Sequence, residues 1–401
     1  MTTRTTGTRS NEPTSPAEAD RPGLPLAALL ALATAVFITS LTETLPAGVL
    51  PAMSADLGVG ESAMGQSVTI YAAGTALTAI PLSAATAGWR RKRLLLTAMA
   101  GFAVANTVTA LSANYPVTMA ARFVAGVAAG LAWALLAGYA RRLVPVPLQG
   151  RAVAVVMTGI PVALSLGVPV GTFLGETLGW RVTFSLMTLL AVVLIGWIAV
   201  AVPDLPGRRE SGRVPVLGAL KVPGVSPVLF VTLVFVLAHT ILYTYIATFL
   251  ERLGMGGSTD VVLLVFGAAS LVSIWFVGAR IDGRLRALTL ASVLLVGAAA
   301  GLLAVPAGSS ALVYAAAALW GLGWGGAPTL LQTAVAEAGG ESADAAQAVL
   351  VTLWNAAMAG GGVVGGVLLD RFGAGAFPWS AVALLVPAVV VARRFRGAAV
   401  L

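Results

Sequence analysis

Two charged side chains fall inside apolar stretches of this sequence, where burying a charge is costly. Glu43 lies in the apolar run 24–50, and Arg122 lies in the run 117–140. At about 1.5 Å of rise per residue, helices over these runs would place Glu43 roughly 10 Å, and Arg122 about 8–9 Å, below the same membrane face. Charges at such depth usually face a cavity or a partner. Either Glu43 reaches water at the interface, or the two side chains pair, statically or with an exchangeable proton.

The only histidine, His239, is a third titratable candidate. An imidazole titrates near neutral pH and suits a proton relay or a ligand contact, and Tyr243, four residues on, would share its helix face. A packing histidine bonded to a backbone carbonyl fits the sequence equally well. Trp133, Trp324 and Asn355 could line the same cavity as substrate-binding residues, or could pack against lipid and neighbouring helices.

The composition is that of an integral membrane protein. Of 401 residues, 58% are hydrophobic and 10% are charged, with a mean hydropathy of +0.93. Soluble domains carry about 25% charged residues. With no cysteine, the chain can form neither a disulfide nor a thiolate metal site. A single histidine and the lack of a phosphate loop argue against an enzyme or a sensor, so no cofactor is expected.

Twelve apolar runs follow the polar segment 1–23 and predict an all-α fold of twelve transmembrane helices. The runs are 24–50, 62–87, 94–111, 117–140, 151–175, 182–202, 227–250, 261–279, 287–305, 311–336, 345–369 and 377–392.

Basic residues are distributed unequally between the two sides predicted for these helices. Of the 24 Lys and Arg residues, Arg122 would lie within a span and only Arg181, Arg252 and Arg371 on the side away from the N-terminus. Cytoplasmic loops carry an excess of Lys and Arg, so both termini are predicted to be cytoplasmic. This placement explains the net charge of +8 without nucleic acid. Residues 1–23 have no apolar core for a cleaved signal and are predicted to form a disordered cytoplasmic tail.

The longest polar interruption divides the chain into two halves. We predict an N-terminal six-helix bundle at 24–203, a cytoplasmic linker at 204–226, and a C-terminal six-helix bundle with a short cytoplasmic tail at 227–401. The sequence at 171–180 also matches that at 365–374. Such internal repeats are typical of secondary transporters, whose substrate site lies between pseudo-symmetric halves.

Three segments resemble the major facilitator superfamily, specifically its twelve-span drug:proton antiporter group. T-E-T-L-P-A-G-V-L-P, which contains Glu43, resembles the signature of the first span, and R-F-V-A-G-V-A-A-G, which begins at Arg122, resembles that of the fourth. G-V-P-V-G-T, with Gly167, Pro169 and Gly171, resembles the antiporter motif of the fifth span. The resemblance covers nearly the whole chain after residue 23 and implies that spans one, four, seven and ten line a central cavity.

The gating motif between spans two and three departs from the family pattern. Arg90 and Arg91 keep its basic part, but the acidic member is absent, while Asp282 and Arg284 after span eight partly match the same pattern. The charge relay that the motif provides in the family is therefore not predicted for this loop.

The resemblance implies a monomeric multidrug-type exporter in the bacterial cytoplasmic membrane. Its substrate would be a small amphipathic molecule, such as chloramphenicol or a sugar, exchanged for protons by alternating access. Glu43, Arg122 and His239 would couple the proton, with Arg122 favouring the charged form of Glu43. Proton-coupled uptake or facilitated uniport of a sugar or small metabolite is the alternative.

Overall fold

The computed structural model describes residues 24–86, 88–207, 216–281, 283–305 and 309–393. Within these residues the regular structure is helical, with no strand. The predicted tail 1–23, part of the predicted linker and Asp282 lie outside the described residues.

Twelve transmembrane helices, α1–α12, follow in chain order, and three of them are built from consecutive pieces. They are α1 Leu26–Leu57, α2 Glu61–Ala85, α3 Arg91–Leu111, α4 Tyr115–Arg142, α5 Gln149–Met157, Gly159–Val162, Ala163–Gly167 and Val168–Leu178, α6 Trp180–Ala201, α7 Val225–Thr244 and Ile246–Arg252, α8 Thr259–Arg280, α9 Leu285–Ala304, α10 Ser310–Trp324 and Ala327–Gly339, α11 Ala343–Phe372, and α12 Ala376–Ala392.

In the described part of the chain, nine of these helices are long and apolar enough to cross a membrane. The other three are α2, α10, which is divided near Gly325, and α12, which has 17 residues. Each helix nevertheless coincides with one of the twelve apolar runs, which confirms the predicted fold class.

The first helix is longer than its apolar run predicts. It continues to Leu57 and ends at Gly58, whose φ of +63° is accessible to glycine at little cost. Glu43 therefore lies near the middle of α1 rather than one or two turns from its end. Pro46 and Pro51 lie within the same continuous helix.

The helices pack as two bundles, α1–α6 and α7–α12, which meet along α2 with α11, α5 with α8, and α1 with α7. The α2–α11 contact carries hydrogen bonds from Ser62 to Asp370 (2.9 Å) and from Gln66 Nε2 to the Gly362 carbonyl (3.2 Å). These residues lie near the start of α2 and in the second half of α11. The described hydrogen bonds between the bundles are therefore concentrated on the side opposite the chain termini.

Candidate functional site

Glu43 lies at the junction of the two bundles, half-buried on α1. Arg122 of α4, Tyr71 of α2 and Tyr243 of α7 lie near its carboxylate. Among the described residues, however, it forms no ion pair and no side-chain hydrogen bond. The direct Glu43–Arg122 contact considered from the sequence is absent from this conformation.

Arg122 is fully buried and binds the backbone of α1 instead of the carboxylate. Its Nη2 donates to the Thr42 carbonyl at 2.7 Å, and its guanidinium lies 5.0 Å from the centre of the Tyr71 ring. Its Nε and Nη1 have no hydrogen-bond partner among the described residues. An arginine in apolar surroundings with two unpartnered donor nitrogens can take another acceptor.

Tyr243 belongs to the second bundle and lies close to Glu43 of the first. It lies on α7, beside Glu43 and Thr44 of α1. Its hydroxyl is buried near Thr44, but the geometry does not complete a hydrogen bond within the described structure. A donor and acceptor of this kind, placed at the boundary between the two bundles, can bind a substrate group or a water molecule.

His239 lies one turn before Tyr243, in an aromatic cluster formed by α7, α8, α10 and α11. Its ring stacks on Trp324 at 3.4 Å between centroids, and its Nδ1 accepts a hydrogen bond from Trp320 Nε1 at 3.0 Å. Neutral His239 must therefore carry its proton on Nε2. The remaining rings of the cluster are Phe235, Tyr243, Phe266 and Trp354.

The structure brings together only part of the predicted substrate-binding set. Trp133 is half-buried on α4, away from the described aromatic contacts of the cluster, and Asn355 donates to the Val351 carbonyl of its own helix at 2.9 Å. The neighbouring Trp354 is the residue that meets Trp324, at 5.5 Å.

Three further residues contact Arg122 or His239 but were not among the site residues predicted from the sequence: Tyr71, Trp320 and Phe266. The four-residue spacing of Trp320 and Trp324, matching that of His239 and Tyr243, is a signal that both helices present aromatic faces.

The comparisons with known proteins agree with this architecture. The family model described as Major Facilitator Superfamily matches residues 32–362. The chain belongs to the major facilitator superfamily. The crystal structure of the human organic anion transporter MFSD10 is similar to it with a TM-score of 0.69 and 18% identity, covering 92% of this chain and all of that one. At that identity the likeness shows the shared major facilitator fold.

Two relatives are more similar in sequence. The transcription regulatory protein OpdE of Pseudomonas aeruginosa is 32% identical over 89% of this chain and 90% of its own length. A chloramphenicol efflux pump of Mycobacterium tuberculosis is 32% identical over 86% of each chain. This member of the major facilitator superfamily is thus a multi-pass membrane transporter, not an enzyme.

In this facilitator, the antiporter motif of the fifth span packs against α1. A side chain at Gly167 would meet Phe37 and Leu41, and one at Gly171 would lie 2.5 Å from Leu45 Cδ1. The segment Ala163–Gly167, just before Pro169, is π-helical. The glycines of the motif therefore permit a close approach of α5 to α1 within one bundle, while Ser165 on the same segment contacts Gly267 of α8 in the other.

In this facilitator, the basic residues of the incomplete gating motif contact the segment that follows α6. Arg90 forms an ion pair with Asp204, which follows α6, and the backbone N–H of Arg91 donates to the Leu205 carbonyl at 2.8 Å. Asp204 thus gives Arg90 a carboxylate partner that the loop itself lacks. Arg284 is exposed at the start of α9, and Asp282, the other residue of the partial match after span eight, lies outside the described residues.

Proposed function

We propose that this transporter exports a small amphipathic molecule in exchange for protons by alternating access. It would act as a monomer in a bacterial cytoplasmic membrane, with both termini in the cytoplasm and a role in drug or metabolite resistance. The chloramphenicol efflux pump, similar over 86% of this chain, supports export of a drug-like compound. The excess of basic residues on the side of the termini supports the orientation.

The environment of Glu43 is the observation that carries the proposal. This half-buried carboxylate lies where the bundles meet, with no ion pair among the described residues and with open N–H groups of Arg122 nearby. A carboxylate held permanently in an ion pair would stay charged. One that a guanidinium pairs with in only part of the cycle would change its proton affinity between states.

The transport cycle follows from competition between proton and substrate. Protonation of Glu43 from outside would remove its attraction for Arg122, and release of that proton inside would restore it. Substrate would bind best to the deprotonated state, so each would favour release of the other. His239, the only histidine of the chain, would relay the proton or hold the substrate.

The aromatic cluster supports an amphipathic substrate. Tyr243, Trp324 and Trp354 offer ring faces for stacking, and the buried Tyr243 hydroxyl offers a polar contact. Trp133 and Asn355 would contact the substrate from the walls on the side of the termini.

Opening the cavity to the other side would require the α2–α11 contact to separate. Arg90, Arg91 and Asp204, together with the α5 motif at Gly167, Pro169 and Gly171, would guide the rocking movement. Asp282 and Arg284 would play the corresponding part at the start of α9.

Replacing Glu43 tests the proposal. In proteoliposomes with an imposed pH gradient, the wild-type protein should export one of chloramphenicol, a cationic dye or an arabinose-like sugar, and a protonophore should stop it. Glu43→Gln should reduce gradient-driven export to the level of empty vesicles because the amide cannot carry the proton. Glu251→Gln, at an exposed carboxylate ending α7, should retain export.

Export by Glu43→Gln that still follows the pH gradient would exclude this residue as the proton site. Reversing the gradient separates the alternative, since a symporter of a sugar or small metabolite would accumulate its substrate when protons flow inward. A uniporter would ignore the gradient in both directions.

A further inference from the structure

The hydrogen-bond ladder of α1 has a gap at Thr42. In a continuous helix each carbonyl accepts the N–H four residues later. For Thr42 that residue is Pro46, which has no N–H to give. Thr42 is fully buried, so water cannot replace the missing donor.

Arg122 closes this gap from a neighbouring helix. Its Nη2 donates to the Thr42 carbonyl at 2.7 Å, and its guanidinium rests on Tyr71, whose hydroxyl donates to the Thr39 carbonyl at 3.1 Å. Asn106 of α3 approaches the same residue, with its Nδ2 3.3 Å from the Thr42 hydroxyl oxygen. Groups on three helices therefore converge on the single turn of α1 that precedes the proline.

The other prolines inside continuous helices have no such complement. No described side chain donates to the carbonyl four residues before Pro51, Pro81 or Pro387. The partnership of Pro46 with Arg122 is thus a particular feature of this site, and Glu43 is the next residue after the carbonyl that it uses.

We propose that Pro46, Thr42 and Arg122 form one positioning unit for the proton site. The proline opens a backbone acceptor, and this acceptor holds the guanidinium beside Glu43 without pairing the two charges. Arg122 thereby keeps Nε and Nη1 available to the carboxylate in another state of the cycle. The proposal rests on the proposed function for the role of Glu43, but the coupling between proline and arginine exists independently of it.

Few other groups can influence Glu43. Those that face it are Tyr71 of α2, Arg122 of α4 and Tyr243 of α7. The remaining helices packed against α1 carry their described titratable residues only in their end turns, and these residues are Arg91, Lys92 and Arg93 of α3, Arg151 and Glu176 of α5, Arg181 of α6, and Asp260 and Arg280 of α8.

A double-mutant cycle on thermal unfolding in detergent tests the structural half of the unit. Arg122→Leu should lower the Tm in the wild-type background because it leaves the Thr42 carbonyl without a donor. In a Pro46→Ala background the helix supplies that donor, so the same substitution should lower the Tm by less than half as much. Pro51→Ala restores an N–H for a carbonyl that Arg122 does not touch and should leave the effect of Arg122→Leu unchanged.

The pH profile of efflux tests the functional half and needs no change at Arg122. In Pro46→Ala the guanidinium loses its backbone acceptor and is free to pair with Glu43. The pH of half-maximal efflux should therefore fall by about one unit or more, while Pro51→Ala should match the wild-type profile.

An equal loss of Tm from Arg122→Leu in both backgrounds, or a Pro46→Ala profile identical to that of Pro51→Ala, would overturn the positioning unit. Failure of the proposed function has a different signature. Glu43→Gln would then leave the wild-type pH profile intact, while the Tm coupling between Pro46 and Arg122 would persist.

Discussion

At the scale of single residues, several buried polar atoms in the helices around Glu43 have no hydrogen-bond partner within the described part of the chain. They include Nε and Nη1 of Arg122, the Tyr243 hydroxyl and the Thr240 hydroxyl. Leaving such a group unpaired costs about 1–3 kcal/mol. A substrate, a water molecule or a second conformation could supply the missing hydrogen bonds. Removing this penalty would then contribute favourable free energy to substrate binding or to the change of state.

His239 shows the opposite situation, a buried polar group whose partner is fixed. Replacing it with Phe should preserve stacking on Trp324 but leave the Trp320 N–H without an acceptor, at a cost of about 1–3 kcal/mol in the free energy of unfolding. Adding Trp320→Phe to that variant should recover part of the loss, whereas Trp320→Phe alone should destabilise. Thermal unfolding in detergent measures all three.

Trp354→Phe provides the control for that cycle, since the described contact of Trp354 with the cluster is made between rings. Its effect should be the same with His or Phe at 239. If Trp320→Phe behaved in the same additive way, the hydrogen bond between Trp320 and His239 would contribute nothing to stability.

At the scale of helices, glycines determine how closely α5 can approach α1. A Cβ at Gly159 would meet the backbone of α1, including Phe37 N at 2.7 Å, whereas one at Gly171 would meet the movable end of the Leu45 side chain. Backbone atoms cannot rotate away, but a leucine methyl can. The first half of α5 therefore tolerates an added side chain against α1 less well than the half that carries the antiporter motif.

Alanine substitutions can measure this difference along α5. Gly159→Ala should destabilise the protein by about 1–3 kcal/mol, as overpacking does in other cores, and Gly171→Ala by less. Gly196→Ala on α6, where nothing lies within 4 Å, should change stability by about 0.5 kcal/mol or less. Equal unfolding midpoints for the Gly159 and Gly171 variants would contradict the packing argument.

At the scale of the whole molecule, apolar runs predict the twelve helices because lipid requires each span to satisfy its own backbone. Contacts distant in sequence could not be predicted in the same way. Arg90 and Asp204 are 114 positions apart, and nothing local to either residue indicates the other. The sequence alone indicates Glu43 and Arg122 as charges within apolar spans. It does not show whether the guanidinium binds the Glu43 carboxylate or the Thr42 carbonyl, which Pro46 leaves without a helical donor. The packed helices show that Arg122 binds the carbonyl.

The α2–α11 contact is the feature of the whole molecule most directly open to experiment, because the chain contains no cysteine. Ser62 Oγ donates to Asp370 at 2.9 Å across the two bundles, so Ser62→Cys with Asp370→Cys should cross-link on oxidation. If the bundles must separate there during each cycle, the cross-link should reduce transport at least about tenfold, and a reductant should restore it.

A second pair controls for the presence of a cross-link as such. Thr107 and Thr188, with hydroxyl oxygens 3.1 Å apart, join α3 to α6 within one bundle. Joining them through Thr107→Cys and Thr188→Cys should leave transport unchanged, since a bundle that moves as a rigid body does not strain its internal contacts. Undiminished transport through a fully cross-linked Ser62–Asp370 pair would mean that this side of the molecule never opens. Alternating access between two rocking bundles would then have to be abandoned for this protein.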